Sequence, residues 1–169
     1  FAQLMEKLTE VLIGYVKLQS QSGVDALQIF DSWNALCPNS HVNEWSLQWI
    51  DQIAEEVSSD IPVILYAKAP SERLNYLSNC KVSGISIDHE TDLAYARTTL
   101  PAHFTLQGNL DPALLETNEE TVEKTTLQLL NKMKGDAGHI LNLGHGIRPQ
   151  AKVECMQALV QTVAEFSDS

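Results

Sequence analysis

One feature constrains this chain more than any other. Short, nearly continuous apolar runs recur along it, separated by segments whose apolar residues return every three or four positions. A short apolar run fits a strand covered on both faces, and a spacing of three and four fits a helix with one buried stripe. The strand-like runs are Val24-Asp25-Ala26-Leu27-Gln28-Ile29-Phe30, Pro62-Val63-Ile64-Leu65-Tyr66, Ser83 to Ile87, His103 to Leu106, and Ile140-Leu141-Asn142-Leu143. A leading helix carries Leu4, Leu8, Val11, Leu12, Tyr15 and Leu18, runs to about Gln21 and stops at Gly23. Trp45, Trp49, Ile50, Ile53, Ala54 and Val57 build a second helical face, and short helices are expected around Ser71–Leu77 and Asp92–Arg97. Thr117-Asn118-Glu119-Glu120 has the form of a capping box ahead of a helix with Val122, Leu129, Leu130 and Met133 inward, punctuated by Gly135 and Gly138. Pro149 suits the first turn of a closing helix with the stripe Val153, Met156, Val160 and Val163.

About five βα units after a leading helix predict an α/β fold with a parallel sheet. Two architectures compete, an open doubly wound sheet and a TIM barrel. Neither GxGxxG nor GxxxxGK[ST] follows a strand here, so the nucleotide-binding form of the open sheet loses its signature. Polar or reactive residues do follow almost every strand: Asp31-Ser32, Lys68, Asp88-His89, Gln107 and Asn109, and His145. In a barrel those ends share one mouth. A closed barrel takes ~8 strands and usually ~250 residues. Residues 1–169 are therefore expected to be the C-terminal part of a single barrel domain, with the remaining strands in an N-terminal part that is absent.

Composition excludes several partners. With 44% hydrophobic and 20% charged residues the chain reads as globular. Eleven Lys and Arg against twenty-two Asp and Glu give a net charge of −11, which repels phosphate backbones, so no nucleic acid is expected. No apolar run approaches the ~18 residues of a membrane helix. Cys37, Cys80 and Cys155 form no CxxC pair, which argues for a reducing compartment. The chain opens on Phe1, consistent with a fragment, and Glu6, Lys7 and Glu10 break any signal-peptide core, so a cytoplasmic protein is expected.

Three blocks carry a family likeness: Ala26-Leu27-Gln28-Ile29-Phe30-Asp31-Ser32-Trp33, Gln107-Gly108-Asn109-Leu110-Asp111-Pro112, and Asn142-Leu143-Gly144-His145-Gly146-Ile147 with Pro149 following. In order and spacing they resemble the C-terminal half of the uroporphyrinogen decarboxylase family along essentially the whole chain. The resemblance implies decarboxylation of the four acetate side chains of uroporphyrinogen III to give coproporphyrinogen III, without a cofactor or metal, in a homodimer. It implies substrate-binding roles for Ser32 and His145. The family's paired arginines, aspartate and active-site tyrosine belong to the other half, so no catalytic residue is assigned here and the chain alone is expected to be inactive. The chain departs from the family pattern at Ala67-Lys68-Ala69-Pro70, where a glycine-rich segment is usual, at Asp88-His89, where Asp-Trp is usual, and at Ala151, where Thr is usual.

Pattern alone gives these residues blander readings. His145 between two glycines is equally a turn histidine, and Ser32 alone is a strand-end or cap serine. Asp31 is expected to hold structure by hydrogen bonding, and Asn109 and Asp111-Pro112 to serve loop and helix-start geometry. His41, His89, His103 and His139 share no spacing and receive no role. Two other functions compete: a zinc-dependent corrinoid:thiol methyltransferase on the same barrel, for which the expected His-x-Cys pair is missing, and a non-catalytic interaction fragment.

Overall fold

The computed structural model describes residues 1–68 and 71–167. Ala69 and Pro70, part of one departure from the family pattern, lie outside the described residues. Five strands, β1 (Leu27–Asp31), β2 (Val63–Ala67), β3 (Gly84–Ser86), β4 (Thr105–Gln107) and β5 (His139–Ile140), make one sheet in the order β1-β2-β3-β4-β5. All pairings are parallel, with Leu27 opposite Val63, Ile64 opposite Gly84, Ile85 opposite Leu106, and Leu106 opposite His139. The order only advances. An open doubly wound sheet reverses its order at a switch point, and the described strands contain none. Right-handed crossovers then put every connecting helix on one face, and the sheet curls around the other. The chain is an arc of a TIM (β/α)8 barrel, five strands long.

Side chains alternate across this arc with period two. Outward, Leu27, Ile29, Val63, Leu65, Ala67, Ile85 and Leu106 join the main core with Ile53, Leu77, Leu93 and Phe104. Leu65, Ile85 and Leu106 are fully buried, each contributing about 1.5–3 kcal/mol by transfer from water. Inward, Gln28, Phe30, Tyr66, Ser86 and Gln107 line a concave cavity. Gln107 Nε2 donates to Gln28 Oε1 and Ser86 Oγ, both at 3.1 Å, so the inner wall is a bonded polar layer.

The helices are α1 (Ala2–Gln21), α2 (Gln48–Glu55), α3 (Leu74–Leu77), α4 (Leu93–Thr99), α5 (Glu119–Lys132) and α6 (Val153–Ser167). Four sequence expectations shift. On α1 only Thr9 and Val16 are buried, with Met5 and Ile13 half-buried, so the packed face is rotated about one residue from the apolar stripe, which stays exposed. The cap of α5 is Asn118, whose carboxamide oxygen accepts from the Thr121 N–H at 2.9 Å, while Thr117 Oγ donates to the Leu114 carbonyl. The closing helix begins at Val153 and not at Pro149, because Pro149 sits in a turn closed by the Ala151 N–H on Arg148 O (3.1 Å), after which Lys152 donates through its N–H to Leu115 O (2.8 Å) and through Nζ to Thr117 O (2.5 Å). Its buried residues include Cys155, Leu159 and Thr162, whereas Val153 and Val160 face outward. Cys155 and Leu159 meet Leu110, Leu115 and Val122 in a second core beneath α5.

Candidate active site

The strand-end loops build the mouth, and each is fixed by identifiable bonds. After β1, the Asp31 carboxylate accepts from Asn34 Nδ2 (2.8 Å) and Ser46 Oγ (2.5 Å). Arg73 then clamps the carbonyls of Asn34 and Cys37, both at 2.6 Å. Asp31 thus has the structural role expected of it, on the helical side of the sheet. Ser32, one residue on, lines the cavity beside Phe30 and is exposed to it.

The loop after β5 is held by three hydrogen bonds, one of them within the loop itself. The Gly144 N–H donates to Leu110 O (2.8 Å), Asn142 Oδ1 accepts from the Leu143 N–H (2.8 Å), and the Tyr66 hydroxyl reaches the Gly144 carbonyl at 3.5 Å. Gly144 lies against the loop after β3 so closely that a Cβ there would fall 2.2 Å from the His89 nitrogen. Only glycine fits. This seating puts His145 at the cavity edge, its ring edge-on to Tyr66 at 6.3 Å. The Gly146 N–H donates to His145 Nδ1 at 2.8 Å. In the neutral ring the proton therefore sits on Nε2, a donor available to a ligand oxygen.

Asn109 takes a different part. Its amide donates to the carbonyls of Asp88 (2.6 Å) and Thr91 (2.5 Å), stapling two mouth loops together. Asp88 accepts from the N–H groups of Glu90 and Thr91, and Asp111 caps the following turn through the Ala113 N–H at 2.8 Å. Asn109 and Asp111 are thus loop and helix-start residues, as their sequence context suggests.

Ser32 and His145, far apart in sequence, line one cavity of about 490 Å³ with Gln28, Phe30, Tyr66 and Gln107. Tyr66 and Gln28 are the lining residues that the sequence reading missed, whereas Gln107 is among the polar strand-end residues it picks out. The signal was present: Gln28, Phe30 and Ser32 share one face at period two, and Tyr66 sits opposite Phe30 in the register. Burial, reinforced by the Asp88 and Glu90 carboxylates, pushes the Tyr66 hydroxyl above its ordinary range, so it stays a protonated donor. The described lining offers neutral donors and aromatic faces and no Asp, Glu, Lys or Arg.

The thiols lie elsewhere. Cys80 and Cys155 are buried in the two cores, burial pushes Cys80 up to about 12, and Cys37 sits on the helical side after β1. Among the described residues no group of three or more His, Cys, Asp or Glu could hold a metal ion, and no helix is long and apolar enough to cross a membrane.

A parallel arc whose strand-end loops form a cavity places the chain among the (β/α)8-barrel proteins, which keep their active sites at this face. A sequence model of the uroporphyrinogen decarboxylase (URO-D) family matches residues 1–166, and the chain belongs to that family. It is 35% identical over 98% of its length to a uroporphyrinogen decarboxylase of Ruthia magnifica, covering 49% of that protein. It is 39% identical over 98% of its length to one of Campylobacter curvus, covering 48%. The chain thus spans about half the length of these relatives and fits their C-terminal half. A methyltransferase from Methanosarcina mazei superposes with a TM-score of 0.81 at 20% identity, covering 94% of this chain and 47% of that one, which shows a shared fold.

Proposed function

We propose that this chain forms the C-terminal wall of the substrate cleft in a uroporphyrinogen decarboxylase, completed by an N-terminal barrel segment. The convergence of Ser32 and His145 on one uncharged, aromatic-lined cavity at the strand ends carries this reading. The reaction removes the four acetate carboxyls of uroporphyrinogen III to give coproporphyrinogen III, in a cytoplasmic homodimer, without metal or organic cofactor. A pyrrole is electron-rich enough to accept a proton on ring carbon. The resulting iminium-like cation takes up the electron pair of the breaking C–C bond as CO2 leaves. A fixed carboxylate facing the pyrrole N–H groups stabilises that cation by charge already in place. The family resemblance assigns this group to the N-terminal segment, and the described lining here carries no carboxylate. The present residues position: Phe30 and Tyr66 offer faces to the ring, and Ser32 and His145 Nε2–H donate to peripheral carboxylates.

His145→Ala in the two-part protein tests this. A hydrogen bond to a charged group is worth ~1.5–3 kcal/mol net, so kcat/KM should fall by roughly one to two decades with kcat largely kept. Unchanged kcat/KM would make His145 a turn residue, and a loss of many more decades would make it a proton donor. The isolated 169-residue chain should not decarboxylate.

A further inference from the structure

A second depression of about 510 Å³ opens on the other side of the loop that carries His145. Its lining includes Lys68, His89, Glu90, His145 and Arg148. The segment from His145 to Ile147 lines both this depression and the main cavity, so it is the partition between them. In a chain with twice as many carboxylates as cationic side chains, two fixed cations and two imidazoles here face one carboxylate, Glu90. These groups have little else to bind. Arg148 meets Glu116 only at 3.7 Å and is half exposed, Lys68 makes no ion pair among the described residues, and His89 Nδ1 is buried with no hydrogen-bond partner among them. Lys68 and His89, from the two strand-end segments that depart from the family pattern, therefore meet in one place.

A planar guanidinium and a compact ammonium on one concave surface form a receptor for an oxyanion, with the guanidinium able to grip both oxygens of a carboxylate. Resting on the decarboxylase reading, we infer that this depression is a subsite for one carboxylate-bearing side arm of the tetrapyrrole. The ring system occupies the main cavity, and the arm crosses the partition to Lys68 and Arg148. Glu90 weakens the subsite.

The experiment uses the two-part protein, with uroporphyrin, a stable oxidised octacarboxylate, as fluorescence probe beside steady-state kinetics. Lys68→Met and Arg148→Met should each raise Kd and KM about tenfold with kcat within about twofold, and Glu90→Gln should tighten binding by about twofold. Lys124→Met, on the far exposed side of α5, should change nothing. The opposite signs for cation and anion removal distinguish ligand contact from a merely structural role. The His89 imidazole resonances should move with uroporphyrin and not with bicarbonate alone. Unchanged Kd in both cation variants, or loosening by Glu90→Gln, overturns the subsite while leaving the decarboxylase reading intact. A response to bicarbonate but not to porphyrin also overturns it, in favour of a free-anion site. Porphyrin binding that depends on Lys68 and Arg148 in a protein without decarboxylase activity sinks the reaction and keeps the subsite. No porphyrin binding by the unsubstituted protein sinks both.

Discussion

The middle of the sheet and its first edge are written in the same apolar alphabet, yet they end in opposite environments. On β2 to β4, Val63, Leu65, Ile85 and Leu106 are at most 1% exposed. At the β1 edge, Phe30 is 66% exposed and Trp33 and Leu36 are each 75% exposed, and the apolar stripe of α1 lies open beside them. An apolar groove of about 360 Å³ runs there, lined by Met5, Leu8, Leu12, Trp33 and Trp49 among others. An apolar surface on this scale, next to a strand with a free edge, marks a contact site. The difference teaches that the apolar pattern is laid out for a larger body than the arc itself. On the proposed reading, the N-terminal segment docks here.

The sharpest way to break this comparison is a pair of substitutions in the 169-residue chain. Leu65→Ala should cost about 2–5 kcal/mol in urea unfolding, because it empties a filled site. Leu8→Ala should stay within about 0.5 kcal/mol there and become costly only once the N-terminal segment is present. Equal costs in the isolated chain would mean that the edge is already covered by self-association. The next effect concerns the two glycines around His145. Gly144→Ala must push the loop off the His89 backbone and should cost about 1–3 kcal/mol and weaken porphyrin binding. Gly146→Ala, with nothing within 4 Å of a new Cβ, should leave stability within about 0.5 kcal/mol.

The smallest effect lies on the surface. The hydrogen bond from Lys132, helped by the Tyr95 N–H, holds the Asp92 carboxyl below its ordinary range. A depressed carboxylate contributes stability above its unfolded value and loses it as pH falls through the folded one. Both partners are about half exposed, so Lys132→Met should lower unfolding free energy at neutral pH by no more than about 0.5 kcal/mol. Unfolding curves of the two proteins should converge in acid. A gap that persisted after Asp92 is protonated would assign the effect to lost packing of the Lys132 stem.

The barrel arc was legible because buried strands and amphipathic helices carry different periods, and the strand-to-helix alternation survives in every unit. Strand ends were less legible. β1 and β4 run on to Asp31 and Gln107, since backbone pairing tolerates polar side chains that an apolar run does not show. β5 stops at Ile140, leaving Leu143 in a single bridge to Leu110. Helix faces failed where two apolar sides compete, as on α1 and α6, because spacing alone does not say which side finds a neighbour. At the mouth, Ser32 and His145 were legible only through their blocks. His89 was legible only as a strand-end residue and Arg148 not at all, because their meeting is one of loops that no local spacing encodes.

The sheet has one more consequence, for how the chain assembles. Each strand pairs with the strand just before it in sequence, so ordering one unit prepares the template for the next, and every pairing closes only the loop of a single βα unit. Loop-closure entropy is then met one βα unit at a time, which costs less than pairing strands far apart in sequence. The expensive event in such a molecule is the one pairing that joins its first strand to its last. On the proposed reading that closure falls to the N-terminal segment, whose strands meet both open edges of this arc.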